Sequence, residues 1–284
     1  MNIQWYPGHM TKAKRTMKEY IKLIDLIIEL VDARAPLASR NPDIDELGAG
    51  KARMILLNKA DLANERQNEA WTKWFQEQGY AVVKVNSRSG AGLKQIQGTV
   101  REACKEKIER NRRKGIINRP IRAMVAGIPN VGKSTFINSI AGKACTKTGN
   151  KPGVTKGNQW IRLNRELELL DTPGILWPKF EDQKVGLYLA FIGSINDNIL
   201  NQEELAMELL KFLLVNYPEA LKERYQIAGE DEVGALTQIA RIRACLSKGG
   251  EFDLPKAAAI LLDDFRSGKL GRITLEFPST EGKV

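Results

Sequence analysis

Residues 127–134 read GIPNVGKS, which fits the phosphate-loop pattern G-x-x-x-x-G-K-[S/T]. The stretch lies between a predicted strand, residues 123–127, and a predicted helix, residues 134–141, as that motif requires. Glycines in such a loop allow successive backbone N–H groups to surround phosphate oxygens at a helix N-terminus, whose dipole favours anions. An ordinary glycine-rich turn is the alternative. The predicted phosphate contacts are Asn130, Val131, Gly132, Lys133, Ser134 and Thr135.

Two further side-chain roles follow from the phosphate loop. Lys133 would reach the β- and γ-phosphates of a nucleotide, and the Ser134 hydroxyl would bind Mg²⁺. Residues 171–174 read DTPG directly after another apolar strand. There Asp171 would hold Mg²⁺ through water, and the Gly174 N–H would sense the γ-phosphate. Because Asp-x-x-Gly is also a common turn, this motif indicates nucleotide binding only in combination with the phosphate loop.

A basic loop separates these two phosphate motifs. Residues 151–157 read KPGVTKG, and Thr155 within them would complete the Mg²⁺ shell. A plain surface loop explains the same spacing equally well.

Residues 58–61 read NKAD at the end of a predicted strand, where ligands approach an open parallel sheet. Guanine presents N1–H and its 2-amino group as parallel donors, and the Asp61 carboxylate can accept both. Adenine lacks that pair, and a site that leaves a buried polar group unpaired rejects the wrong base by roughly 10⁴-fold. Asn58 would hold the loop, and Lys59 would lie along the base. Asx-rich strand exits are also common turns.

A second candidate base contact follows the next predicted strand. Residues 86–89 read NSRS, and this stretch, with Asn86 and Ser87 as the assigned contacts, would supply a backbone N–H to guanine O6. This signal is weaker than NKAD, and it favours guanine only in combination with the other motifs.

Short apolar runs alternate with helical stretches over the first two thirds of the chain, which predicts an α/β domain with a mostly parallel sheet and helices on both faces. After Trp177-Pro178, amphipathic helical patterns follow. We therefore expect a nucleotide-binding domain, residues 1–177, and a smaller all-helical domain, residues 178–284. Predicted strands are 23–31, 53–57, 80–85, 123–127, 159–163 and 167–170; predicted helices are 65–78, 93–110, 134–141, 201–216, 219–225, 233–247 and 255–267.

The composition is that of an ordinary globular protein, with 43% apolar and 27% charged residues among 284. Disordered, collagen-like and disulfide-scaffold classes are therefore excluded. The sequence has no membrane-length apolar run, and its first ten residues lack the apolar stretch of a signal peptide, so we expect a cytoplasmic protein without a membrane partner. Three widely spaced cysteines predict buried thiols rather than a disulfide or zinc site.

Positive charge is concentrated in the N-terminal part of the chain. The formal charge is +10 overall, but residues 175–284 hold 13 basic and 17 acidic side chains, so residues 1–174 carry +14. The densest basic stretches are 12–22, 101–122 and 143–165. Clustered positive charge predicts a nucleic-acid partner, although exposed linkers have a similar composition.

The order of the motifs is unusual for a guanine-nucleotide site. In Ras-like GTPases the phosphate loop comes first, whereas here the base-recognition stretches precede it. In this order of motifs the chain resembles the circularly permuted GTPases, and in particular those that act in bacterial ribosome biogenesis. The resemblance covers essentially the whole chain. Beyond the five motifs, it is carried by WYPGHMTKA at 5–13, DARAPLASRNP at 32–42 and ILLDDFRSGKLGRITLE at 260–276.

The resemblance implies a circularly permuted Ras-like P-loop domain that binds GTP, GDP and Mg²⁺, with K⁺ as a further candidate. It implies slow GTP hydrolysis that the large (50S) ribosomal subunit stimulates. The implied protein is an assembly factor that promotes a late maturation step and leaves after hydrolysis. Its implied partners are the 50S precursor, 23S rRNA and ribosomal proteins, and we expect a monomer. Candidate RNA contacts in the helical domain are Arg241, Arg243, Lys248, Lys269 and Arg272.

The usual water-orienting residue is missing from this chain. Ras-like enzymes carry a glutamine just after the DTPG-type glycine, where this chain has Ile175-Leu176-Trp177 and no glutamine before Gln183. The resemblance implies that His9, the only histidine, takes that role, and its ordinary pKa suits a group that orders water. The alternative for His9 is a polar helix start or an RNA contact. The form GIPNVGKS also resembles cation-dependent GTPases, in which Asn130 would ligate K⁺ where an arginine finger would lie.

Permutation also has a mechanical consequence. The segment after Gly174 leads directly into the helical domain, so loss of the γ-phosphate contact would reorient residues 175–284. Two other functions stay open at this point. One is an RNA-binding module or chaperone in which nucleotide is mainly structural. The other is a metabolic P-loop kinase, which would leave NKAD and the basic surface without a role.

Overall fold

A computed structural model describes residues 9–142, 159–176, 180 and 182–278, with side chains from Arg15 onward. The strands are β1 (Leu26–Asp32), β2 (Ala52–Asn58), β3 (Ala81–Val85), β4 (Ile121–Ala126), β5 (Gln159–Arg162) and β6 (Leu167–Asp171). The helices are α1 (His9–Tyr20), α2 (Pro42–Leu47), α3 (Glu65–Glu77), α4 (Leu93–Ala103), α5 (Lys105–Arg113), α6 (Lys133–Ala141), α7 (Gln183–Phe191), α8 (Gln202–Asn216), α9 (Pro218–Tyr225), α10 (Glu232–Ile242) and α11 (Leu254–Ser267).

The six strands form one sheet in the order β3-β2-β1-β4-β6-β5. All neighbouring pairs are parallel except β5 with β6. From β1 the chain moves outward to β2 and β3, whereas from β4 it moves in the opposite direction to β6. This reversal opens a crevice at the carboxyl ends of β1 and β4, where ligands bind in open α/β sheets. The predicted mostly parallel sheet is confirmed.

The neighbouring strands β1 and β2 are mostly apolar, as expected where helices cover both faces of a parallel sheet. Every residue of β1 is buried, and β2 is buried from Met54 onward. Trp71 and Phe75 of α3 pack in a cluster with Leu57 and other residues of these strands. Asn64 caps α3, since its side chain accepts the backbone N–H groups of the first helical turn. This packing fixes the strand ends from which the candidate site is built.

The chain divides into two compact units. Within the described part of the chain, one unit comprises residues 180 and 182–273, and the other comprises residues 9–142, 159–176 and 274–278. The described part of the first unit is helical, and its core lies along α8, where Leu205, Leu209 and Leu213 are fully buried. The predicted helical domain, 178–284, extends beyond Ile273, after which the described residues 274–278 group with the sheet-containing unit.

The described residues from Thr274 onward, 274–278, pack on the sheet-containing unit, and we call them the return segment. The Asn64 N–H donates to Thr274 Oγ1 at 3.0 Å, and Trp71 Nε1 donates to Glu276 O at 3.0 Å. Both donors belong to α3 or its cap. The segment is thus fixed by polar contacts with residues more than 200 positions earlier, which no local sequence pattern reveals.

Two predicted elements also need correction, and two helices were not predicted. Helix α7 was not predicted, because nearly all of its second half, from Tyr188 to Phe191, is buried and gives no amphipathic period. The predicted helix 93–110 is interrupted at Cys104, whose ψ of 10° separates α4 from α5. The predicted strand 23–31 begins only at Leu26, because residues Ile21–Leu23 form a 3-10 turn. The short helix α2 was also not predicted.

Cys104 and Cys245 are buried free thiols, as predicted, and Cys145 lies outside the described residues. Among the residues that the structure describes, no helix is long and apolar enough to cross a membrane.

Candidate nucleotide-binding site

The phosphate loop joins the end of β4 to the start of α6, and its conformation depends on glycine. Gly132 has a φ of 98°, and a Cβ placed there would lie 2.5 Å from Asn58 Nδ2. That nitrogen donates to Val131 O at 2.6 Å. The second glycine of the motif is therefore required both by its left-handed backbone and by the close approach of the base-recognition asparagine.

Lys133 lies within this loop and is almost fully buried. Its ammonium donates to Gly127 O and Ile128 O, both at 2.9 Å. Burial lowers the pKa of Lys133 to about 8, and the attraction of Asp171 acts in the opposite direction. The loop thus carries a cation at its centre, in the position predicted for contact with the β- and γ-phosphates.

Asp171 ends β6 beside β4, opposite Val125 in the strand register. Its two carboxylate oxygens are buried and accept no hydrogen bond of normal geometry from the described residues. Burial raises the pKa of Asp171 to about 6, although Lys133 lowers it. A buried carboxylate with no side-chain hydrogen-bond donor among the described residues fits a divalent cation or its bound water, either of which would compensate such burial. Ser134, at the first turn of α6, is the second predicted Mg²⁺ ligand.

Gly174 approaches the phosphate loop closely. A Cβ placed on Gly174 would lie 2.9 Å from Lys133 Nζ and 2.9 Å from Pro129 Cα. Thr172 fixes the start of the segment, since its hydroxyl donates to Val125 O at 2.8 Å. The DTPG motif and the phosphate loop therefore meet, as the predicted γ-phosphate contact requires.

The base-recognition corner is tied together by Asn58, which is buried at the end of β2. Its Oδ1 accepts the Ser87 N–H at 3.1 Å and the Ser87 hydroxyl at 2.8 Å, while its Nδ2 holds Val131 O. Ser139 of α6 also donates to Ser87 O. Asn58 thus joins both base-recognition stretches to the phosphate loop, in the holding role predicted for it.

Lys59 and Asp61 lie at the exit of β2. Lys59 has a left-handed backbone with a φ of 58°, and its ammonium donates to Asn130 O at 3.0 Å and to Asp32 Oδ2 at 2.9 Å. Asp61 lies in the 3-10 turn Ala60–Leu62 and is exposed. The Asp61 carboxylate is exposed two residues after Lys59, which contacts the phosphate loop, so it is available to a base and its predicted role stays a prediction.

The stretch 86–89 differs in one respect from its predicted use. The Asn86 side chain accepts the N–H groups of Arg88 and Ser89, at 2.9 and 3.0 Å. The N–H groups of Asn86 and Ser87 donate to Ala91 O and Asn58 Oδ1. A guanine O6 would have to displace one of these acceptors, and the role of this stretch stays a prediction.

Several predicted site residues lie outside what the structure describes. Thr155 and the whole loop 151–157 are among them, and His9 is described only as the backbone start of α1. The catalytic role of His9 therefore stays a prediction. Asn130 lies within the described residues, and its K⁺ role also stays a prediction.

Sequence reasoning missed two charged residues that the structure places at the base-recognition corner. Asp32 and Arg34 are both fully buried and are paired with each other. The sequence signal is a carboxylate at the end of an apolar strand with an arginine two residues later. If such residues are buried, they are expected to pair with each other.

Comparison with known proteins agrees with this geometry. A family model described as 50S ribosome-binding GTPase matches residues 122–228. The chain is 50% identical to the ribosome biogenesis GTPase A of Bacillus cereus, over 100% of this chain and 96% of that one. It is 31% identical to the ribosome biogenesis GTPase A of Thermotoga maritima, over 97% and 95% of the two chains.

Two solved structures are similar over nearly the whole chain. GDP-bound TM YlqF has a TM-score of 0.69 at 27% identity, covering 93% of this chain and 99% of that one. GNP-bound YlqF from T. maritima has a TM-score of 0.67 at 27% identity, covering 94% and 98%.

A mostly parallel sheet with a base-recognition corner before its phosphate loop and a DTPG motif after it defines a circularly permuted P-loop GTPase. The predicted fold and enzyme class are confirmed. The chain belongs to the ribosome biogenesis GTPase A family.

Replacing Asp171 by asparagine should stabilise the nucleotide-free protein while impairing hydrolysis. The carboxyl pKa rises from an ordinary 3.8 to about 6 on folding, so this group lowers stability progressively as pH rises between those two values, fully above pH 6 and not below pH 3.8. We expect Asp171→Asn to raise the free energy of unfolding by roughly 1–3 kcal/mol at pH 7.5 and by about half as much at pH 5. Urea unfolding at both pH values measures this. An equal effect at both would contradict it.

Proposed function

We propose that this GTPase binds a late precursor of the 50S ribosomal subunit in its GTP form, promotes a late maturation step and leaves after hydrolysis. The proposal places this reaction in the cytoplasm. Support comes from full-length relatives named for ribosome biogenesis and from the description of the matching family model. Mg²⁺ would be held by Ser134, by Asp171 through water, and by Thr155, and would neutralise phosphate charge.

The observation that carries the release step is the connection that follows the DTPG motif. Gly174 lies against Lys133 and Pro129 of the phosphate loop, and only residues 175–179 separate it from the helical unit, which begins at Phe180. Loss of the γ-phosphate would free Gly174 and change the path of this short connection. Nucleotide state would thus alter how the helical unit is presented to the ribosome.

The helical unit offers a group of cations for RNA. Asp264 is buried and forms ion pairs with Arg224 at 2.8 Å, Arg243 at 3.1 Å and Lys269 at 3.2 Å. Three cations on one carboxylate leave a net charge of +2 with the guanidinium and ammonium groups held in place. We infer that this cluster contacts RNA phosphates, although the unit as a whole is acidic. Two of the predicted RNA contacts, Arg243 and Lys269, belong to it.

The test is steady-state hydrolysis of GTP and ATP in potassium buffer, with and without purified 50S subunits. We expect turnover of GTP but not of ATP, and we expect 50S subunits to increase it. In His9→Ala this turnover should fall by about 10²-fold or more, while nucleotide affinity stays unchanged. Glu19→Ala, an exposed change on the same helix, is the matched control.

Other outcomes are equally informative. Turnover that 50S subunits do not stimulate would contradict a ribosomal partner. Stimulation that survives His9→Ala would assign water positioning to K⁺ at Asn130 or to RNA, and replacement of K⁺ by Na⁺ separates these two. Normal 50S binding and release in a hydrolysis-deficient variant would favour the RNA-binding module.

A further inference from the structure

A buried charged group lies beside the base-recognition motif. Asp32 is the last residue of β1 and pairs with Asn58 in the sheet register. Its Oδ1 accepts Arg34 Nε at 2.9 Å, and its Oδ2 accepts Arg34 Nη2 at 2.8 Å and Lys59 Nζ at 2.9 Å. Burial raises the pKa of Asp32, but the two cations outweigh it and hold that pKa well below its usual range. The carboxylate is therefore a permanent anion between the buried Arg34 and the partly exposed Lys59.

Lys59 connects this carboxylate to the phosphate loop. Its ammonium donates to Asn130 O as well as to Asp32, so the side chain spans from the exit of β2 to the loop. Among the described acidic residues, Asp32 is the one that forms an ion pair with Lys59. Asp32 thus fixes the position of the Lys59 side chain, along which the base would lie.

Residues 33–41, which follow Asp32, are called the bridging loop. This loop also contacts the return segment. The Leu275 N–H donates to Arg34 O at 2.7 Å. The Glu276 carboxylate accepts two N–H groups of the loop, from Leu37 at 2.7 Å and from Ala38 at 2.9 Å. A single carboxylate from the end of the chain therefore fixes the backbone next to the Asp32–Arg34 pair.

The far end of the bridging loop contacts the segment after the DTPG motif. Asn41 Nδ2 donates to Ile175 O at 3.2 Å, one residue beyond Gly174. Asn41 is itself held, since its N–H donates to the buried Glu29 carboxylate at 3.1 Å. The loop thus lies between the base-recognition lysine, the exit of the DTPG motif and the return segment.

We propose that Asp32 is a positioning residue for guanine-nucleotide binding, acting through Lys59, and that Glu276 of the return segment positions the bridging loop that supports it. This inference rests on the proposed nucleotide site. It gives the helical unit a second covalent link to that site, because the return segment follows directly on Ile273, the last residue of the unit. One link leaves from the DTPG motif and the other from the base-recognition corner.

The first experiment measures dissociation of a fluorescent GDP analogue from the full chain by stopped flow. Loss of a hydrogen bond to a charged group changes such rates by roughly tenfold or more, so Asp32→Asn should accelerate dissociation by at least ~10-fold. Glu276→Gln should accelerate it by about two- to fivefold, because it acts through one further contact. Glu46→Gln removes the same charge from an exposed position in α2 and should leave the rate unchanged.

A double-mutant cycle separates positioning from general destabilisation. If Asp32 acts through Lys59, the combination of Asp32→Asn with Lys59→Met dissociates no faster than Lys59→Met alone. Additive effects of the two changes would overturn the proposal. Thermal unfolding without nucleotide identifies a variant that fails to fold, and Glu276→Gln then carries the test.

The nucleotide preference of the parent separates failure of this inference from failure of the proposed site. A parent protein that does not prefer GDP to ADP would instead overturn the proposed site.

Discussion

Lys133→Ala is expected to lower the rate of GTP hydrolysis by about 10³-fold and to weaken nucleotide binding. Removing one fixed donor to developing charge in a water-excluded site costs roughly 10²–10³ in kcat, and Lys133 carries a full positive charge. Its ammonium is almost fully buried and is already placed by Gly127 O and Ile128 O. The cation therefore needs little reorganisation when phosphates replace those carbonyls.

Single-turnover hydrolysis and nucleotide affinity together check this expectation. Lys73→Ala, an exposed lysine on α3, is the control, and Lys133→Met keeps the side-chain length if the alanine variant unfolds. In the parent, nucleotide affinity should also fall as pH rises through about 8, because the free protein then loses the Lys133 proton that phosphates require. Hydrolysis that survives in both variants would remove Lys133 from the reaction.

The sequence was sufficient to predict the elements that form the site. The phosphate loop, NKAD and DTPG each follow an apolar strand, and parallel strands bring their carboxyl ends to one edge of a sheet. The contact between Asn58 and Val131 and the approach of Gly174 to Lys133 follow from that arrangement. Local pattern and tertiary position agree here because each motif is short and begins at a strand end.

The bridging loop and the return segment could not be predicted in the same way. The contact of Glu276 with Leu37 joins residues 239 positions apart, and an exposed glutamate near the end of a chain has no periodic signal. Asp32 and Arg34 carried no predicted role beyond the resemblance of residues 32–42, whereas the structure buries both and pairs them. Side-chain pairing in three dimensions, not residue type, decided both cases.

Asp61→Asn is expected to change the order in which this protein prefers nucleotides. The carboxylate of Asp61 would accept N1–H and the 2-amino group of guanine, whereas an asparagine amide would place one donor against that amino group. Xanthine has an oxygen at that position, which the amide can donate to. A site built around such hydrogen bonds discriminates between bases by roughly 10⁴-fold. GDP binding should therefore weaken by about that factor, while binding of xanthosine diphosphate (XDP) strengthens.

Competition of GDP, XDP and ADP against a fluorescent guanine nucleotide measures this change, with Asp263→Asn on exposed surface of the helical unit as the control. The outcome also separates Asp61 from Asp32. Since Asp32 holds Lys59 rather than the base edge, Asp32→Asn should weaken GDP and XDP alike, and only Asp61→Asn should exchange their order. Retained preference for GDP in Asp61→Asn would show that Asp61 does not read the base. Discrimination would then have to come from the backbone at 86–89, where Asn86 would first have to release an N–H group.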